Sequence, residues 1–265
     1  MDSTAIDSAA QLLFDARTSQ RTIDRLPPRY RPADGTEGLA IQRRVGALLG
    51  QPVGGWKCSV PTDERKMPLA PIFSPAIHEE SPCGIVAMSG MARIEPEIAF
   101  VVGRDLPPRA TPYTDEEIRA SMREVRLVLE LIGPRYTDPA VISFPELLAD
   151  NVANQGLFVG PVVEDALSRP LGAFAIAING PTRMLLTREG KHPDGHPLPP
   201  LYWLANFLSR GGYGKDEWLR AGQVVTTGSY CGVVDVPLNA DLDVRFGGLG
   251  TLPVRFSALE SPAAA

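Results

Sequence analysis

The stretch Arg93-Ile94-Glu95-Pro96-Glu97-Ile98-Ala99-Phe100, running on into Val101-Val102, decides how the chain is read. Its apolar residues make a β-strand. Side chains alternate faces along a strand, so Glu95 and Glu97 point the same way. Two like charges on one face repel unless something positive lies between them. Pro96 donates no backbone hydrogen bond, which places this point at a sheet edge or an irregularity, a position suited to a site rim. A solvated strand face would explain the pair, since glutamate is usually exposed. A divalent metal ion would explain it too.

Working outward, Val125-Arg126-Leu127-Val128-Leu129-Glu130-Leu131-Ile132 is a second, strongly apolar strand. A glutamate inside it is costly to bury without a partner. The partner is either an arginine (Arg93, Arg126 or Arg135) or a metal shared with Glu95 and Glu97. Lys57 follows a double glycine in Gly54-Gly55-Trp56-Lys57-Cys58. Such a lysine is either an ordinary exposed side chain or a charge stabiliser beside a metal-bound oxyanion. Thr226-Thr227-Gly228-Ser229 ends an apolar strand and reads either as a polar turn or as a cradle for a carboxylate. His192 and His196 bracket Pro193-Asp194-Gly195, which is a loop, so they are not taken as metal ligands.

The remaining composition bounds the answer. The chain has 265 residues, 44% of them hydrophobic, and a net charge of −5. No basic run suggests nucleic-acid binding, and no apolar run is long enough to span a bilayer. The N-terminus lacks the pattern of a signal peptide, so a cytoplasmic protein is expected. The three cysteines form no metal or disulfide pattern and are read as reduced thiols. Helical spacing over 4–19, and a second helix between Asp34 and Gly50, predict a small N-terminal helical unit over residues 1–52. Strands at 53–59, 84–88, 93–103, 125–132, 156–163, 173–179, 182–188, 223–228, 242–246 and 251–258 predict a β-rich catalytic domain over 53–265. Short helices are expected at 115–124, 144–152 and 198–210. Asn179-Gly180 marks a hairpin. The elements do not alternate strand and helix, so the expected class is α+β, a mixed β-roll or sandwich.

Taken together, certain segments resemble the fumarylacetoacetate hydrolase superfamily, in its branch of 2-keto-4-pentenoate hydratases and 4-oxalocrotonate decarboxylases. They are Gly54-Gly55-Trp56-Lys57, Glu95-Pro96-Glu97-Ile98-Ala99-Phe100, Leu129-Glu130-Leu131-Ile132, Ala149-Asp150-Asn151, Trp203-Leu204-Ala205-Asn206, Ala221-Gly222-Gln223-Val224, Thr227-Gly228-Ser229 and Phe246-Gly247-Gly248-Leu249-Gly250. They occur in family order over nearly the whole chain.

The resemblance implies Glu95, Glu97 and Glu130 as ligands of Mg²⁺ or Mn²⁺, and Lys57 as the catalytic lysine. It implies Ser229, Thr227, Asn151 and Gln155 on the substrate side, and a homo-oligomer, alone or in complex with a sister pathway enzyme. The implied reaction is addition of water to a 2-hydroxy-2,4-dienoate, giving a 4-hydroxy-2-oxo acid, in the breakdown of aromatic compounds. One departure stands out. Hydratases of this branch carry an acid after the lysine strand, where Ala70-Pro71-Ile72-Phe73-Ser74-Pro75 here has none. That keeps a rival open: decarboxylation of a 4-oxalocrotonate-like 2-keto diacid. A non-catalytic partner subunit would be expected to lose Glu95, Glu97, Glu130 and Lys57, all of which are present.

Overall fold

The computed structural model describes residues 1–62 and 67–260. Helix α1 (Ser3–Ser19) starts at Asp2, whose carboxylate accepts from the Ala5 amide, and buries Ala9, Ala10, Leu13 and Ala16 along one face. Helix α2 (Gly35–Leu49) starts at Asp34, which accepts from the Glu37 amide, and stops at Gly50 in the left-handed region. Both helices bury their apolar faces in one cluster with Tyr136 and Ala149, so the strand-rich part completes their core.

The strands are β1 (Val53–Cys58), β2 (Leu69–Phe73), β3 (Ile77–His78), β4 (Cys83–Ile85) and β5 (Met91–Val102). After α3 (Asp115–Arg119) comes β6 (Met122–Ile132), and after α4 (Phe144–Ala149) come β7 (Asn154–Val162), β8 (Ala173–Asn179) and β9 (Met184–Lys191). Helix α5 (Leu198–Ser209) leads to β10 (Val224–Thr226), β11 (Val234–Pro237), β12 (Leu242–Phe246), β13 (Gly250–Val254) and β14 (Phe256–Ala258).

Eight strands form the main sheet in the order β2-β1-β10-β5-β6-β7-β3, with β11 pairing an end of β5. The β1–β10 and β3–β7 pairs are parallel and the others antiparallel. The sheet curls until β2 comes back against β7. Ile72, Ala99, Val101, Val128, Leu157, Val159 and Val224 fill the inside of the curl. The outer face, through Ile94, Ile98, Phe100, Leu127 and Leu129, packs on a second sheet of order β13-β12-β8-β9 that contributes Ile176, Ile178, Val244, Phe246 and Leu252. This is the mixed β-roll of the α+β class that the sequence predicts.

Several elements differ from expectation. β2 was not foreseen, because Pro71 interrupts its apolar run; β2 lies at one end of the sheet order, where a missing donor is tolerated. The helix expected over 115–124 stops at Arg119, because the chain is drawn into β6 from Met122. The helix expected over 144–152 stops at Ala149. The strand expected over 251–258 is two: β13 in the second sheet, and β14 parallel to β4.

Pro96 is not at an outer sheet edge; it lies at an irregularity, the other position expected of it. β5 is central, but its partner on one side changes: β10 pairs Ala99–Val101 and β11 pairs Met91–Ile94. Pro96 falls in the gap between these partners, where the loop after β10 enters and the Tyr230 amide donates to the Pro96 carbonyl. Because N–H and C=O of one strand residue point to the same side, the donor that proline lacks would have faced this gap. The gap also opens the sheet beside Glu95 and Glu97.

Candidate metal centre

Register brings the carboxylates together. Glu95 of β5 stands directly opposite Glu130 of β6, and Glu97 is the next residue on the same face of β5. All three lie on the inner face of the curl. One oxygen from each of Glu95, Glu97 and Glu130 falls within 4.8 Å of the others. Glu130 and Glu97 are buried and Glu95 half-buried. Lys57 reaches the cluster from β1. Its neighbours Trp56 and Cys58 face the outer core, so alternation turns Lys57 inward. Its ammonium donates to Glu130 Oε1 at 2.5 Å and to the Val152 carbonyl at 3.3 Å. An ammonium has three N–H groups, so one is left to give.

Three further groups orient the carboxylates and a fourth holds Lys57. The Asn154 amide donates to Glu130 Oε1 at 2.9 Å. The Thr226 hydroxyl donates to Glu97 Oε2, and the Gly228 amide donates to the same oxygen at 3.0 Å. Gly228 sits at φ 127°, and a Cβ there would lie 2.9 Å from Pro193 Cγ, so the close approach requires glycine. The fourth is the Val152 carbonyl, held by an unusual turn. Asn151, Val152 and Ala153 have φ of 53°, 51° and 59°, three consecutive non-glycine residues in the left-handed region. Each costs about 1–2 kcal/mol. The turn is pinned by Arg135, whose guanidinium and amide both bond to Asp150, and by the Gly133 amide on the Ala153 carbonyl at 2.8 Å.

With all three carboxylates ionised, the charges do not balance without a cation. Three carboxylates face one ammonium, and the Glu130 Oε2 atom is buried with no hydrogen-bond partner. Glu95 makes no hydrogen bond or ion pair among the described residues. Burial, then repulsion from Glu130, pushes the Glu95 carboxyl up to about 7; burial, Glu130 and Glu95 push Glu97 up to about 8. Burial alone would lower the Lys57 ammonium, but Glu130, Glu95 and Glu97 together hold it above its ordinary value. An orphaned buried oxygen and an all-oxygen donor set fit a hard divalent cation, with roughly half of a six-fold shell left for water and substrate.

The other residues singled out in the sequence are placed as follows. Thr227 is buried beside Glu97's two partners, with its hydroxyl oxygen 3.5 Å from His192 Nε2. Ser229 is half-buried and its hydroxyl donates to the Gly232 carbonyl at 3.2 Å. Asn151 donates to the Pro71 carbonyl at 3.4 Å, with its side-chain oxygen buried and unpartnered. Gln155 alternates away from Asn154, and its amide bonds to the backbone of Val86 and Ile132. It lines a separate cavity of about 760 Å³ with Arg17 and Arg135, which none of the three carboxylates touches. Ile72, in the stretch where an acid was looked for, is buried in the inner apolar cluster. Sequence reasoning missed Asn154, the Thr226 and Gly228 contacts to Glu97, and the approach of His192. Only the run of polar residues at 226–229 hinted at any of them.

No protein-family model matches the chain. A 2-hydroxyhexa-2,4-dienoate hydratase from Comamonas testosteroni is 27% identical over 270 residues, covering 97% of this chain and 99% of that protein. A 2-keto-4-pentenoate hydratase from Paraburkholderia xenovorans is 27% identical, covering 95% of each. Among solved structures, 4-oxalocrotonate decarboxylase from Pseudomonas putida G7, complexed with calcium and acetate, superposes with a TM-score of 0.76 at 18% identity, covering 97% of this chain and 99% of that one. The same enzyme complexed with magnesium and adipate gives 0.75. A fumarylacetoacetate hydrolase family protein from Yersinia pestis gives 0.53 at 17% identity over 78% of this chain and 94% of that one. These structural likenesses show the fold.

Proposed function

We propose, for a chain homologous along its whole length to 2-hydroxydienoate and 2-keto-4-pentenoate hydratases and built on the fold of the fumarylacetoacetate hydrolase proteins, a divalent-metal-dependent hydratase. It adds water to a 2-hydroxy-2,4-dienoate to give a 4-hydroxy-2-oxo acid. The observation that carries this reading is the convergence of Glu95, Glu97 and Glu130 within 4.8 Å, beside the Lys57 ammonium.

The residues that hold the metal are Glu95, Glu97 and Glu130, and the metal is Mg²⁺ or Mn²⁺, for which an all-oxygen set is suited. Bound there, the cation supplies Lewis acidity toward the oxygen at C2 of the substrate. Thr226 and Gly228 fix the orientation of Glu97, and Asn154 that of Glu130. Lys57, held above its ordinary pKa by Glu130, Glu95 and Glu97, acts as a charge stabiliser or proton carrier. Thr227, Ser229 and Asn151 are assigned to the substrate side by their places in the motifs shared with the hydratases. For 2-hydroxypenta-2,4-dienoate the balance is simple. A proton adds at C5 as the enol proton leaves, giving the α,β-unsaturated 2-oxo acid. Water then adds across C3 and C4, its hydroxyl to C4 and its proton to C3.

One observation favours a second reading in the same site. The stretch Ala70–Pro75 offers no carboxylate to position water, and Ile72 is buried among apolar side chains. A decarboxylase of a 4-oxalocrotonate-like acid needs no such group. Both reactions take a small keto acid. No helix among the described residues is long and apolar enough to cross a membrane. We infer in addition a cytoplasmic homo-oligomer serving aromatic-compound breakdown, alone or with a sister enzyme.

The test is to mix the protein with 2-hydroxypenta-2,4-dienoate and with 4-oxalocrotonate, each with Mg²⁺ and with a chelator. Metal-dependent loss of the dienoate chromophore with formation of the 4-hydroxy-2-oxo acid is the expected result. Metal-dependent release of CO₂ from 4-oxalocrotonate alone would select the decarboxylase, and inertness toward both would refute both.

A further inference from the structure

The cavity of about 760 Å³ at the end of α1 plays no part in the metal centre. Arg17, Arg21 and Arg135 line it, and no aspartate or glutamate does so among the described residues. In a chain whose net charge is −5, three arginines around one hollow without an acid run against the average. Leu49, Phe73, Pro75, Val86 and Met88 supply apolar wall. The volume lies within the range of about 300–1,000 Å³ of pockets that hold small ligands, and a few polar groups in an apolar wall is their usual chemistry.

The three cations are not equally compensated. Arg135 is buried and has a carboxylate, since its guanidinium bonds to the Asp150 side chain and donates to the Asp150 carbonyl at 2.7 Å. Arg17 is half-buried, yet among the described residues its guanidinium forms no ion pair and one hydrogen bond, to the Asn154 carbonyl at 2.9 Å. A guanidinium has five N–H groups, so four are left to give. The helix dipole favours a cation in the last turn of α1 by about 0.3–1 kcal/mol, which accounts for a basic residue at this place. It does not account for a charged head drawn out of water beside a second arginine. Burial, then repulsion from Arg135, pushes the Arg17 group down to about 9, with Asp150 opposing. Arg21 is exposed and likewise forms no ion pair among the described residues. Arg135 and Arg17 also hold the two ends of the 150–154 segment, the second through Asn154, whose side-chain amide orients Glu130. An occupant of the cavity therefore meets the groups that pin this segment, not the three carboxylates themselves.

We propose that this cavity is a second binding site, for a small organic carboxylate: its anionic head pairs with Arg17 in the field of Arg135 and Arg21, and its apolar body lies against the wall that includes Phe73, Val86 and Met88. A carboxylate matches the planar fork of a guanidinium with two parallel hydrogen bonds. An inorganic anion would satisfy the charge but leave the apolar wall in contact with water, and an uncharged apolar molecule would leave Arg17 uncompensated. The inference does not depend on the hydratase reading.

The test uses the full chain in chelator, so that no metal ion draws a carboxylate to Glu95, Glu97 and Glu130. Benzoate is the probe, benzamide its uncharged counterpart, and inorganic phosphate the anion without an apolar body. Calorimetry is expected to show saturable binding of one benzoate per chain, at least about tenfold tighter than benzamide or phosphate, the scale of one hydrogen bond to a charged group. Arg17→Met keeps much of the apolar stem and removes the charge, and is expected to weaken benzoate about tenfold or more. Arg21→Met, at an exposed position, is expected to weaken it about twofold to threefold. Crystals of the metal-free protein grown with benzoate are expected to place its carboxylate against Arg17. Absence of benzoate binding, equal binding of benzamide, equal or tighter binding of phosphate, unchanged benzoate affinity in folded Arg17→Met, or benzoate located outside this cavity would each overturn the proposal. If Arg17→Met does not fold, Arg21→Met and the position of benzoate in the crystal decide. No turnover is measured, so the outcome is independent of which reaction the metal centre performs.

Discussion

Replacing Lys57 by methionine isolates the electrostatics of the site. Methionine keeps most of the side-chain length but removes the one cation that, among the described residues, faces Glu95, Glu97 and Glu130. Glu130 is wholly buried and the lysine side chain is only 14% exposed, so water cannot replace the lost charge. Breaking such a buried pair from one side costs about 3–5 kcal/mol. For a chain of this size each kcal/mol moves the midpoint by about 2–4 °C, so Lys57→Met in chelator should lower Tm by roughly 6–20 °C. The measurement belongs above the pH of about 8 to which Glu97 is pushed, where the carboxylates are charged and the cost is largest. Adding Mg²⁺ should recover more stability in the variant than in wild type. Wild type gains about 2.7 kcal/mol at a hundredfold excess over Kd. The variant gains that and also relief of the exposed repulsion. Lys57→Met/Glu130→Gln should be more stable in chelator than Lys57→Met alone, since the stranded charge is gone. Thermal unfolding with chelator and with Mg²⁺ decides it. A Lys57→Met protein melting within about 2 °C of wild type in chelator, with no extra rescue by Mg²⁺, would refute the reasoning.

Three further outcomes are expected. Glu95 and Glu97 bind protons in the folded chain at pH values where the unfolded chain has released them, so metal-free stability should fall as pH rises from about 4.5 through about 8. By the same sign, Mg²⁺ binding near neutral pH should release protons and weaken as pH falls; calorimetry in buffers of different ionisation enthalpy would read a null effect as a contradiction. Gly228→Ala forces a Cβ at φ 127° against Pro193, and should cost about 1–3 kcal/mol of stability and weaken metal binding by moving the amide off Glu97; equal Mg²⁺ titrations for variant and wild type would speak against it. Asp150→Asn leaves the buried Arg135 guanidinium uncompensated beneath the left-handed turn, and should cost about 3–5 kcal/mol in denaturant unfolding and lower activity by freeing the Val152 carbonyl from Lys57.

How far the sequence could be read follows from which features are local. Strand alternation alone places Glu95 and Glu97 on one face, and an apolar run around Glu130 announces a buried carboxylate. Asp34 and Gly50 punctuate the chain where their local chemistry says they should. The hairpin signalled by Asn179-Gly180 is present, but its turn runs from Gly180 to Arg183, with Asn179 still in the strand. What stayed hidden depends on partners distant in sequence. Pro96 reads as an edge or an irregularity; which of the two it is depends on distant strands, since β10 and β11 share one side of the central β5 and leave a gap. β2 hides behind Pro71, which is tolerated only because the strand ends the sheet order. Asn154 reaches Glu130 only because three left-handed residues turn the chain after α4, and nothing in Asn-Val-Ala announces that conformation. The link from His192 to Thr227 spans 35 positions of sequence and has no periodic signature. The resemblance to a known family put roles on Ser229 and Gln155 by position in a motif; the fold bonds their side chains to backbone groups, Gln155 at a separate cavity.

If Glu95, Glu97 and Glu130 hold one divalent ion, turnover depends on it. Both points are tested most directly by anomalous scattering from crystals of Mn²⁺-loaded protein, paired with activity of the same preparation before and after chelation. One strong peak per chain is expected among these three carboxylates, with activity lost on stripping and restored by Mn²⁺ or Mg²⁺. A peak elsewhere, or full activity in the stripped protein, would contradict it.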